Sequence, residues 1–182
     1  MRYLYVLFSR SNTWPSRIIY RFTPGEYTHV ALALERDLRA LYSFGRLYEQ
    51  LPLPGGFVTE SVHAGIYGRC GESICRVCRV PVSEEGYRRT EKLLRFMQRQ
   101  KRFYHYNLFG TVLCALRISR KRRARFFCSE FVAEVLHRAG AVALPKTPHL
   151  MRPCDMLTLP ELETVYEGPL CQSDAERAPA LA

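Results

Sequence analysis

Apolar residues alternate with period two over short stretches in the first half of this chain and recur at helical spacing in the second, which constrains its fold more than any other feature. Arg2 to Phe8, Thr28 to Leu34, a stretch ending near Phe44, Phe57 to Glu60 and Ser73 to Pro81 read as strands. Within Thr28 to Leu34, Val30, Leu32 and Leu34 share one face while His29, Ala31 and Ala33 share the other. The turn Glu35-Arg36-Asp37 makes this stretch the first arm of a hairpin, and a face of His and Ala leaves room for a closely packed helix. Helical patterns run from Pro15 to Phe22, ended by Pro24-Gly25, and from Leu108 to Ile118. A third begins at Ser83, an N-cap followed by Glu84 and Glu85, and continues to about Gln100. The last runs from Cys128 to Ala139 with Gly140 as its stop. Pro52, Pro54, Gly55 and Gly56 mark a loop. The expectation is an α+β fold built on an antiparallel sheet, without internal repeats.

A chain of 182 residues can bury a core that needs neither disulfide nor metal, so a single domain over residues 1–171 is expected, with a fraying polar tail over 172–182. No apolar run approaches the roughly 18 residues of a membrane span, and the short apolar stretch after Tyr3 is not a secretory signal. Seven cysteines, an odd number, then point to reduced thiols and a cytoplasmic location. Cys70, Cys75 and Cys78 do not read as a metal site, because strand residues three apart face opposite sides; no metal and no cofactor are expected.

The net charge of +10 raises the question of a polyanionic partner. Nucleic acid is not expected, since no helix-turn-helix or RNP aromatic pair is present. Much of the charge is local: Arg117, Arg120, Lys121, Arg122, Arg123 and Arg125 crowd one segment. Such a run is more often a solvated helix end than a binding site. Leading straight into Cys128, this one is also placed to draw anionic substrates or an anionic lipid surface toward that residue.

Cys128 starts an amphipathic helix whose apolar positions are Phe127, Phe131, Val135 and Leu136. Free N–H groups at a helix start favour the thiolate, so this cysteine is the candidate nucleophile. Its bland alternative is a small buried apolar residue. A thiol needs a base, and His29 is the histidine set within a strand; His137 ends the cysteine helix, and His63, His105 and His149 fall in loops or at element edges.

Glu26-Tyr27-Thr28-His29-Val30-Ala31-Leu32-Ala33-Leu34 and Phe127-Cys128-Ser129-Glu130-Phe131-Val132-Ala133-Glu134-Val135-Leu136, with histidine first in the chain, resemble the circularly permuted papain-like proteins of the NlpC superfamily. Within that superfamily they resemble the YiiX/YebB-like group in particular. The similarity extends over Leu41 to Arg46, Gly55 to Glu60 and Arg152-Pro153-Cys154-Asp155. It implies a permuted papain-like fold with the sheet packed on the cysteine helix, and a Cys–His site that cleaves an amide or ester through an acyl-enzyme. A third residue should orient the imidazole. Ser43 or Tyr42 would stand opposite His29, depending on the hairpin turn, and Glu60 is favoured slightly over Ser43 because a carboxylate stabilises an imidazolium better. Tyr106 is the expected pocket tyrosine, with Tyr42 as a further substrate contact, and the Cys128 N–H would hold the oxyanion. The resulting expectation is a cysteine hydrolase for an amide of a small peptide or acylated amino acid. Its rivals are a lipid-directed thioesterase or acyltransferase and a catalytically inactive binding module.

Overall fold

The computed structural model describes residues 1–10, 27–47, 54–61 and 74–169. The expected helix from Pro15 to Phe22 with its Pro24-Gly25 stop, the Pro52 turn, His63, Cys70, Cys171 and the tail lie outside the described residues. Among the described residues eight strands form one sheet: β1 (Arg2–Arg10), β2 (His29–Ala33), β3 (Leu41–Arg46), β4 (Gly55–Glu60), β5 (Ile74–Val82), β6 (His105–Tyr106), β7 (Arg125–Phe126) and β8 (Glu163–Pro169). Their spatial order is β7-β6-β4-β3-β2-β1-β5-β8. Neighbours run antiparallel except β6 and β7, which are parallel. The helices among the described residues are α1 (Glu84–Arg99), α2 (Leu108–Ala115), α3 (Cys128–Arg138) and the single turn α4 (Pro153–Met156). The fold is therefore α+β, with an open, mostly antiparallel sheet.

Local chemistry explains where the helices begin and end. The Ser83 side chain accepts the Gly86 N–H at 3.0 Å, capping α1 as its sequence requires. Gly140, at φ 67°, ends α3; its N–H reaches the His137 carbonyl and the Ala141 N–H reaches Leu136, the paired bonds of a Schellman stop. The helix expected to reach Ile118 instead closes at Ala115. Arg117 takes a left-handed conformation at φ 59°, and the Ile118 N–H turns back to the Leu113 carbonyl. The same stop forms here without glycine, so the sequence carries no glycine to mark it.

The sheet separates two apolar clusters. The larger joins Leu4, Val6, Phe8, Val30, Leu32 and Phe44 to Tyr87, Leu94 and Met97 of α1 and to Phe131, Val132, Val135 and Leu136 of α3. Phe131 sits between the rings of Phe44 and Phe57, at 5.3 and 5.7 Å, and a ring buried this way contributes about 3–5 kcal/mol relative to Ala. The smaller cluster holds Leu7, Ala31, Ala33, Leu41, Cys75 and Val77. The expectation that a helix docks on the alanine face is thus corrected. The cysteine helix shares the larger cluster with Val30 and Leu32, because burial energy scales with apolar area and that face offers more of it.

Two further elements depart from the sequence reading. Gly55 and Gly56, assigned to a loop, open β4; a Cβ on Gly56 would stand 2.7 Å from the Tyr104 carbonyl, so glycine is what lets β6 pair there. The strand β8 has no clear alternation in Glu-Thr-Val-Tyr-Glu-Gly-Pro. It is held on β5 by Arg79–Glu163 and Arg76–Glu167 ion pairs at 2.8 and 2.6 Å. Cys75 and Cys78 fall in different clusters on opposite faces, as their spacing requires.

Candidate active site

The residues before α3 set the position of its first thiol. Phe127 is extended, with φ −101° and ψ 168°, and its N–H donates to the Glu130 carboxylate at 3.3 Å. Glu130 is itself buried, and burial pushes its pKa up to about 7 against the opposing pull of the Phe127 N–H and the Asn107 amide. Ser129 donates to the Met151 carbonyl at 2.8 Å, fixing the first turn from the other side. Cys128 therefore begins the helix under constraint from two directions, and it is 6% exposed.

The Cys128 thiol and the His29 ring face each other across the interface between α3 and β2, close enough for each to shift the other's proton affinity. Burial opposes the thiolate, but the His29 ring and the N–H groups of Val30 and Ser129 outweigh it and hold the thiol below its ordinary range. Burial likewise opposes the imidazolium. Here the contacts with Cys128 and Glu60 win and raise the His29 pKa to about 10. Both shifts favour the same thing: a thiolate beside an imidazolium.

On the other side of the ring, His29 Nε2 lies 3.5 Å from Glu60 Oε2, with side chains 26% and 20% exposed. Those two atoms are themselves sealed from solvent, and neither has an aligned hydrogen-bond partner. The contact is a charge contact that a small rotation would turn into a hydrogen bond. Resting geometry is commonly looser than the reacting one.

The path of β2 explains how a strand histidine reaches a helix on the far side of the sheet. β2 and β3 are bridged at Leu32 and Tyr42, and His29 stands at the opposite end of β2. There the Val30 N–H steadies the Cys128 thiolate, and the Val30 carbonyl accepts the Ser43 hydroxyl at 2.6 Å.

The expected site residues divide accordingly. Cys128, His29 and Glu60 are brought together. Ser43 is not: its hydroxyl is committed to Val30, and extending the Leu32–Tyr42 register sets Gly45, not Ser43 or Tyr42, opposite His29. A Cβ at Gly45 would lie 3.8 Å from the His29 ring. Tyr42 stacks on Phe57 at 6.2 Å and packs against the larger cluster, and it is not among the residues lining the Cys128 pocket. Tyr106 lines the same pocket as Cys128, and burial together with the nearby thiolate raises its pKa, so it stays a neutral hydroxyl.

That pocket has a volume of about 30 Å³, space for about two waters. Thr28, Thr111, Cys114, Ser129 and Arg152 also border it. The sequence marks none of these as a pocket residue, because they come from the residue before β2, from α2, from α3 and from the start of α4, which are far apart in the chain. Arg152 is anchored by Asp155, which also takes Lys146 at 2.7 Å, and the two cations hold the Asp155 carboxyl down to about 2 after opposing its burial. Of the other histidines, His105 and His137 are exposed and His149 bonds Ser119 at 2.6 Å, so none of these is at the thiol. No family model matches this chain, and no curated protein matches it.

Proposed function

We propose that this protein is a cysteine hydrolase of the circularly permuted papain-like kind, acting on an amide of a small peptide or acylated amino acid. The observation that carries the reading is the Cys128–His29 pair, a thiol held low and an imidazole held high on two separate elements, with Glu60 behind the ring. Cys128 attacks the carbonyl carbon, and the oxyanion forms beside the helix N-terminus, with the Cys128 N–H as donor. The His29 imidazolium donates its proton to the departing amine, leaving an acyl thioester. Neutral His29 then takes a proton from water, the hydroxide adds to the thioester, and thiolate and imidazolium are restored as the acid leaves. Tyr106, kept neutral by burial, serves as a hydrogen-bond donor in the pocket. The small volume of the pocket suits a small substrate group.

The lipid-directed reading draws on a separate observation. Helix α2 walls the pocket through Thr111, Cys114 and Ala115 while exposing Leu108, Phe109 and Val112.

The test is Cys128→Ala against panels of peptide amides and N-acyl amino acids, together with iodoacetamide labelling of the wild type. The variant should fold and lose turnover by at least about a thousandfold, the scale of removing a catalytic nucleophile. In the wild type, Cys128 should label far faster at neutral pH than the other thiols. Turnover that survives in a folded Cys128→Ala protein, or labelling no faster than at the other cysteines, sinks the proposal.

A further inference from the structure

Among the described residues ten large apolar side chains are exposed, and six of them, Phe103, Leu108, Phe109, Val112, Leu116 and Ile118, fall in one short segment. Leu108, Phe109, Val112 and Leu116 occupy one arc of α2 and its cap at helical spacing, while the pocket-lining Thr111, Cys114 and Ala115 occupy another. Exposed apolar side chains grouped this way mark a contact surface.

The charge around this patch selects its occupant. Residues 101–125 carry eight Lys and Arg side chains and no Asp or Glu. Arg117, Arg120, Arg122 and Arg123 form no ion pair with any described residue; among the eight cations Lys121 forms one, with Glu134 at 3.4 Å, and Arg102 stacks on the Phe103 ring at 4.7 Å. A second copy of this chain pairing through the same face would set these cations against their own images. A nucleic acid would satisfy the cations and leave the Leu, Val and Phe side chains without an apolar phase. An anionic bilayer meets both demands, with hydrocarbon for the apolar arc and acidic headgroups for the arginines.

We propose that α2 and the basic segment after it form a docking surface for an anionic lipid bilayer, which brings the mouth of the Cys128 pocket to the membrane surface. The docking is independent of the chemistry proposed for the thiol, and the Cys128→Ala protein should dock as the wild type does.

Co-sedimentation with phosphatidylcholine vesicles, with and without phosphatidylserine, tests this. The full chain should bind the phosphatidylserine vesicles, bind pure phosphatidylcholine at least about tenfold more weakly, and lose affinity as salt rises. The double variant Phe109→Ser, Leu116→Ser and, separately, Arg120→Gln, Arg122→Gln, Arg123→Gln should each weaken binding by about tenfold or more. Both keep the wild-type rate of Cys128 alkylation, which reports that the fold is intact. No binding to the acidic vesicles, equal binding to both compositions, or a serine variant that binds as tightly as wild type overturns the proposal. So does a soluble dimer that the serine substitutions dissociate in the absence of any vesicle binding.

Discussion

Replacing Glu60 with Gln removes one charge from behind the His29 ring and changes little in shape. At 3.5 Å, two unit charges interact by about 1 kcal/mol in bulk water and by about 5 kcal/mol at an effective dielectric near 20. The side chains are 26% and 20% exposed, so the interaction belongs between those limits and toward the lower one. At about 1.4 kcal/mol per tenfold change in proton affinity, the imidazolium should give up its proton at a pH about 1 to 2 lower than in the wild type. The His29 pKa of the wild type is about 10, so its protonated ring persists far above neutrality. In the variant the ring titrates closer to neutral pH, and the alkaline limb of activity moves down with it. NMR titration of the ring resonances reads the first quantity, and the pH profile of hydrolysis reads the second. Ser43→Ala is the control, because its hydroxyl serves the Val30 carbonyl and should leave the titration where it is. A folded Glu60→Gln protein whose ring titrates as in the wild type refutes the assignment of Glu60 as the positioning residue.

Glu130→Gln tests the buried helix cap. A carboxyl whose folded pKa is raised to about 7 favours folding fully below its ordinary value of 4.5, and that contribution is lost as pH rises through about 7. The variant should therefore gain on the wild type across this window, by at most about 3 kcal/mol at its upper end; urea midpoints that shift in parallel for both proteins exclude the effect. Gly110→Ala sets a Cβ 2.1 Å from Asn107 Nδ2, and Asn107 Oδ1 is the cap that accepts the Gly110 N–H at 3.0 Å. Expelling that cap should cost about 1–2 kcal/mol, and an unchanged melting temperature contradicts this account of the α2 start.

The strands β1, β2, β3 and β5 were legible from a full period of their pattern, and the helices α1 and α3 from their period together with a chemical start or stop, Ser83 for α1 and Gly140 for α3. β8 was not, because its pairing rests on cross-strand ion pairs between residues far apart in the chain. β6 and β7 are two residues each, too short to express a period. At the site, the thiol at the helix start and the histidine in a strand could be read locally. Which neighbour meets the ring could not, because it depends on the register of β2 against β3. The exposed arc of α2 has the same cause: Leu108, Phe109 and Val112 look like core positions until the packing leaves them outside.

Val30 serves two neighbours with one residue: its N–H steadies the Cys128 thiolate and its carbonyl accepts the Ser43 hydroxyl. A thioester sulfur is neutral and a poorer acceptor. Under the proposed chemistry this N–H therefore loses its charged partner while an acyl group is attached and regains it when the thiolate returns.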